Sequence, residues 1–214
     1  MTPGDITASN ESGGEHNDEK EYFGGARRYF DANQNITVVN VHAGDCFITD
    51  SDEEMATTVL GSCISACVRD PVACVGGMNH FLLPSSKGSD MESTRYGAFA
   101  MEQLINEILK RGGKRERLEI KIFGGGNVLR SVTGVTVGDK NIQFIREYLK
   151  VEGFTITTED VGGNQARKVK YYPYTGKAFI KKIERSLDIA AVNEEETKYQ
   201  KDIASDEGAD DVLF

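Results

Sequence analysis

The chain predicts an α+β fold: a mixed β-sheet sandwich flanked by helices. Three observations predict it. Its 214 residues suit one domain with flanking tails. Short runs rich in Val, Ile and Thr recur between turns built from Gly, Asp and Pro, as strands require. Two longer segments instead carry an apolar stripe at helical spacing.

Residues 36–41 (ITVVNV) have strand composition. Ala43-Gly44-Asp45 reads as a turn before Cys46-Phe47-Ile48-Thr49. Residues 50–54 (DSDEE) read as a solvated acidic loop. Two β-like runs follow, Cys63 to Val68 and Cys74 to Leu83, separated by Arg69-Asp70-Pro71. Turn chemistry between two strand runs predicts a hairpin, with a turn over 70–73. Tyr96, Phe99, Leu104, Ile105 and Ile108 give a helix from Glu92 to Arg111, which Gly112-Gly113 stops. Residues 118–123 (LEIKIF) form a strand, followed by a loop at Gly124-Gly125-Gly126. A second helix is expected from about Lys140 to Lys150, and strands at 154–158, 168–173 and 177–183. The organisation is therefore a disordered acidic extension (1–35), a folded catalytic domain (36–185) and an acidic tail (186–214).

The net charge of −9 belongs to the tails. Residues 1–20 carry −4 and residues 187–214 carry −7, which leaves the middle at +2. A nearly neutral body gives no electrostatic reason to bind nucleic acid. The basic run Lys110, Arg111, Lys114, Arg115 and Arg117 reads as a solvated face. No basic-then-apolar opening predicts a secretory signal, and no apolar run approaches the roughly 20 residues of a membrane span. The expected compartment is the cytoplasm, where Cys46, Cys63, Cys67 and Cys74 stay reduced.

The hairpin has a chemical consequence. If Arg69 pairs with Cys74 around the turn, Cys63 lies directly opposite His80, with Cβ atoms roughly 4.5–5.5 Å apart. A bulge at Gly76-Gly77 would shift that register. A free thiol has a pKa near ~8.5, and a neighbouring imidazole removes its proton to create a nucleophile. The imidazole then protonates the leaving nitrogen. A third group orients the ring; with no acid close by, Thr57 is the expected orienter and Thr58 the reserve. Small residues at Gly61-Ser62 leave backbone N–H groups open to a substrate oxygen, as an oxyanion hole needs.

Two other readings of these residues are weaker. Cys63-x5-Arg69 matches a phosphatase pattern, but a phosphate-ringing loop does not alternate like a strand. On an extended strand Cys63 and Cys67 lie roughly 13 Å apart, too far to share one zinc ion. Cys46, Cys67 and Cys74 are expected to be core residues.

Thr57 to Pro84, with Gly61-Ser62-Cys63 and Asn79-His80-Phe81-Leu82-Leu83-Pro84, resembles the CheD family of chemoreceptor glutamine deamidases. The resemblance continues through Tyr96-Gly97, Lys121 to Gly126, Asp160-Val161-Gly162-Gly163 and Tyr174-Thr175-Gly176. It departs at Asn164-Gln165-Ala166-Arg167, where the family usually has a Gly before the Arg. The resemblance implies a Cys-His-Thr triad at Cys63, His80 and Thr57, and the cysteine hydrolase fold of bacterial deamidating toxins. It implies conversion of receptor glutamines to glutamates with release of ammonia, and no metal or organic cofactor. The implied partners are the helical cytoplasmic domain of a chemoreceptor and a CheC-type phosphatase. A non-catalytic adaptor that binds either partner is the alternative expectation, and a cysteine peptidase a third.

Overall fold

The structure is a computed structural model that describes residues 27–84, 90–128, 134–184, 194 and 196–203. Of the disordered extension expected over residues 1–35, residues 1–26 lie outside the described residues, as does most of the tail. In chain order the first half contains β1 (Arg27–Asp31), β2 (Ile36–Asn40), β3 (Cys46–Thr49), β4 (Glu54–Leu60), β5 (Ile64–Asp70) and β6 (Val75–Asn79). Then come α1 (Asp90–Lys110), β7 (Glu119–Gly124), α2 (Val137–Val151), β8 (Ile156–Val161), β9 (Ala166–Tyr172) and β10 (Lys177–Ile183). Among the described residues no helix is long and apolar enough to cross a membrane.

The strands form two five-stranded sheets, ordered β1-β2-β4-β9-β10 and β3-β6-β5-β7-β8. Alternation along β5 decides how they pack. Cys63 and Cys67 turn toward the first sheet, into a core with Ala56, Leu60, Met78, Leu82, Phe123 and Tyr171. Ile64, Ala66 and Val68 turn the other way, onto Met101, Leu104, Ile108, Ile145 and Leu149 of the two helices. Fully burying one such side chain stabilises by about 1.5–3 kcal/mol. The layers are thus sheet, sheet, helices, with α1 and α2 on one side of the sandwich; residues 196–203 form a further helical segment.

Several elements differ from expectation. The folded body begins before residue 36, because Arg27–Asp31 pairs antiparallel with β2. Glu54 leaves the acidic loop to begin β4, where it is buried beside Arg28 and Thr49. Helix α2 starts three residues earlier than predicted, fixed by a reciprocal capping box between Thr136 and Asp139. Phe99 is exposed, so the core face of α1 is Met101, Leu104, Ile105 and Ile108. The basic run is less solvated than expected: Arg117 reaches the buried carboxylate of Asp70, and Arg115 stacks 4.1 Å over the Phe154 ring.

The hairpin exists but its turn is one residue later. Asp70 pairs with Val75, and its carboxylate accepts the N–H groups of Val72 and Ala73, an Asx-type closure. Cys74 therefore sits inside the turn, at φ +54°. No bulge occurs at Gly76-Gly77. Those glycines instead let β6 fit between β3 and β5: a Cβ on Gly77 would lie 2.3 Å from the Phe47 carbonyl oxygen.

Candidate active site

The later turn moves every hairpin pair by two residues. Cys67 faces Met78 and Ile64 bridges Phe81, so His80 falls opposite Ser65 and not opposite Cys63. A shift of two preserves the face. Cys63 remains on the inter-sheet side with His80, displaced diagonally along it.

His80 follows β6 directly and is held on both sides of its backbone. Its N–H donates to the Asp45 carbonyl at 3.1 Å, and its own carbonyl accepts from Gly44 N–H at 2.8 Å. The turn expected at 43–45 therefore anchors the His80 backbone. Gly44 has φ +91°, which suits glycine.

The threonine that meets the His80 ring is Thr58. Its Oγ1 lies 2.8 Å from His80 Nδ1 and donates to the Val41 carbonyl at 2.7 Å. Thr57 Oγ1 donates instead to the Val169 carbonyl at 2.9 Å. Alternation explains why Thr58, and not the expected Thr57, contacts the ring. Ala56 and Leu60 face the second sheet, so Thr58 does too, while Thr57 shares the opposite face with Met55.

These contacts fix the tautomer of His80. A threonine hydroxyl has one proton, and the Val41 carbonyl can only accept it. The lone pair left on Oγ1 must accept from Nδ1–H. The Val41 carbonyl, 3.3 Å from Nδ1, is a second acceptor there. With the proton on Nδ1, the buried Nε2 carries the lone pair and is the basic nitrogen.

The segment just before β5 is shaped by its carbonyls. The Gly61 carbonyl accepts from Gly126 N–H at 2.6 Å, the Ser62 carbonyl from Asn141 Nδ2 at 2.8 Å and the Cys63 carbonyl from Gly125 N–H at 2.7 Å. All three oxygens are tied to the helix side, which turns the three N–H groups the other way. The glycine loop permits this approach: a Cβ on Gly124, which has φ +115°, would lie 2.0 Å from the Cys63 oxygen. Asn141 also accepts the Leu83 N–H, so one buried amide on α2 joins the Cys63 segment to the chain just after His80.

The three N–H groups converge on one carboxylate. Glu196 Oε1 accepts from Gly61 at 3.0 Å and Cys63 at 3.1 Å. Its Oε2 accepts from the Ser62 N–H at 3.1 Å and the Ser62 hydroxyl at 2.7 Å. Gly61 and Ser62 were expected to offer backbone donors; Cys63 adds a third. Glu196 itself gave no sequence signal, standing in an acidic run that reads as solvated tail. Asn141 had a weak one, as a polar residue at the start of the expected second helix.

The remaining cysteines have other surroundings. Burial pushes the Cys46 thiol up to about 12 and Cys67 well above its ordinary value, so both stay protonated at neutral pH. Cys74 is half-buried in the hairpin turn, its thiol near the Pro71 carbonyl. Because β5 is extended from Ile64 onward, Cys63 and Arg69 cannot close a phosphate-binding loop.

A family profile described as "CheD chemotactic sensory transduction" matches residues 82–182. A Hahella chejuensis protein named "Probable chemoreceptor glutamine deamidase CheD" is 44% identical over 196 residues, covering 89% of this chain and 91% of that protein. A Herminiimonas arsenicoxydans protein of the same name is 44% identical over 198 residues, covering 90% and 96%. One from Bordetella parapertussis, again so named, is 46% identical over 159 residues, covering 73% and 75%. With identity this high over most of both chains, the protein belongs to the CheD family.

Proposed function

We propose that the protein deamidates glutamine side chains of chemoreceptors in the cytoplasm, with Cys63 as nucleophile, His80 as general base and acid, and Thr58 as the residue that positions His80. The observation that carries the reading is the convergence of the Gly61, Ser62 and Cys63 N–H groups on one side-chain carboxylate beside the candidate nucleophile. Donors that hold a carboxylate oxygen also suit a carboxamide oxygen as it becomes an oxyanion.

The reaction needs only these groups and water. His80 Nε2 takes the Cys63 proton, and the thiolate attacks the carboxamide carbon. The oxygen gathers negative charge against the Gly61 and Cys63 N–H groups, which converge on a single oxygen position. The imidazolium gives its proton to the nitrogen, the C–N bond breaks and ammonia leaves. His80 then draws a proton from water, whose oxygen attacks the thioester; glutamate and the free thiol result. The Thr58 hydroxyl keeps Nδ1 protonated throughout. The substrate is the helical cytoplasmic domain of a receptor, and a CheC-type phosphatase is the proposed partner on resemblance alone.

The test is intact-mass spectrometry of a receptor cytoplasmic fragment bearing glutamine, incubated with the protein. A gain of about one dalton per site is expected, since an amide becomes an acid. Cleaved fragments would replace this reading with a peptidase. An unchanged fragment would favour the adaptor.

A further inference from the structure

The carboxylate in the anion hole belongs to the chain itself. Residues 196–203 are helical and lie against the site, although Glu196 is more than 130 residues from Cys63 in sequence. Three side chains on this helix are turned inward. Glu196 is buried with its oxygens on the Gly61–Cys63 donors. The Tyr199 ring packs edge-on to Tyr96, with centroids 6.4 Å apart, and their hydroxyls are hydrogen-bonded. Tyr199 also covers Gly44, in the turn that holds His80; a Cβ there would lie 2.8 Å from the ring. Ile203 is 8% exposed. The spacing of three and then four residues puts all three on one helical face.

We propose that residues 196–203 are a built-in occupant of the substrate groove, with Glu196 standing in for the glutamate that the reaction makes. The inference rests on the deamidase reading for what the groove accepts. A glutamate side chain is what a glutamine becomes when its amide is hydrolysed. Its Oε1 bridges Gly61 and Cys63, where the substrate oxygen sits during attack. Its Oε2 takes the Ser62 donors, where the departing nitrogen or the incoming water oxygen would lie. The occupant also describes the substrate: a helix that presents a glutamine, with an aromatic residue three positions later and an aliphatic one seven positions later. A cleft of about 280 Å3 continues beside Glu196 between Ser62, Gly126, Val137 and Gly138, which leaves room for a longer segment than the chain's own.

An intramolecular occupant competes with substrate for the open state alone. Releasing it lowers KM and leaves kcat unchanged, because saturating substrate already displaces it. The full-length protein is compared with Glu196→Ala, which removes the carboxylate, and with Ile203→Asp, which loosens the helix without touching the site. Both variants are expected to deamidate a receptor fragment with a KM several-fold lower at the same kcat. Both are expected to alkylate faster at Cys63. Unchanged KM and alkylation in both variants would overturn the proposal, as would a loss of kcat in Glu196→Ala. Faster alkylation with no deamidation by any of the three proteins would keep the occupant and sink the deamidase reading.

A third variant inverts the logic. Glu196→Gln presents the site with a carboxamide in place of a carboxylate. Its own mass is expected to rise by about one dalton on standing, and to stay fixed when combined with Cys63→Ala. A stable mass in a variant that still deamidates receptor would overturn the product-like placement.

Discussion

The two ends of β5 each hold a buried carboxylate on backbone N–H groups, and they do so for different purposes. At the far end, Asp70 accepts from Val72, Ala73 and Lys114 N–H groups and from the Arg117 guanidinium, whose Nε is 2.8 Å away. Two of those donors lie within three residues, and the strand, its turn and its counter-charge are one local unit. At the near end, Glu196 accepts from Gly61, Ser62 and Cys63, and arrives from a remote segment. The first carboxylate closes the hairpin and sets its register. The second fills a hole that the fold has built without it, since the carbonyls of 61–63 are pinned by Gly125, Gly126 and Asn141. A carboxylate that makes the fold and a carboxylate that visits it are distinguished by what remains when each is removed.

The largest expected effect sharpens the near end. Cys63→Ala and His80→Ala should each reduce deamidation by on the order of 10³-fold or more, with the fold retained by circular dichroism. Cys67→Ala, four residues on and facing the same side, should keep its turnover.

Next comes the far end. Asp70→Ala should cost about 2–3 kcal/mol of stability in urea, through lost charge-assisted hydrogen bonds, with kcat unchanged. Burial raises the Asp70 carboxyl pKa, but Arg117 and the N–H groups of Lys114, Ala73 and Val72 outweigh burial and hold it well below the usual carboxylate range. A depressed pKa stabilises fully above the unfolded value of about 3.9, and that stability is lost as pH falls toward the folded value. The wild-type advantage over Asp70→Asn should therefore shrink below about pH 4. An advantage that grew on acidification would break the account of this end.

A smaller effect separates the two threonines. Thr58→Val should lower kcat on the order of tenfold to a hundredfold, short of the ~10⁴ seen for an Asp orienter, because a neutral hydroxyl does not offset the imidazolium charge. Thr58→Ser should restore most of it. Thr57→Val should leave kcat alone and cost about 1 kcal/mol of stability, for one buried hydrogen bond. The reverse ranking would return the orienting role to Thr57.

The sequence made the hairpin legible, and with it the face that Cys63 and His80 share, because turn chemistry and β-composition are local. It misplaced the register by two, since the Asx closure at Asp70 draws on Lys114 and Arg117, far along the chain. The error left both side chains on the correct face only because it was even. The choice between Thr57 and Thr58 was not legible: the face each presents depends on the pairing of β4 with β9, more than a hundred residues away. Glu196 was hidden for the opposite reason. An acidic run carries no periodic signal, and only the assembled anion hole gives one of its residues a place.

Cys63 is the proposed nucleophile. That role is tested most directly by titrating the protein with iodoacetamide and measuring, in the same samples, residual receptor deamidation and the alkylated fraction of each cysteine by peptide mass spectrometry. Activity should fall in proportion to Cys63 modification and reach zero when that residue is fully alkylated, whatever the state of Cys46, Cys67 and Cys74. Deamidation that persists with Cys63 fully alkylated would contradict the account.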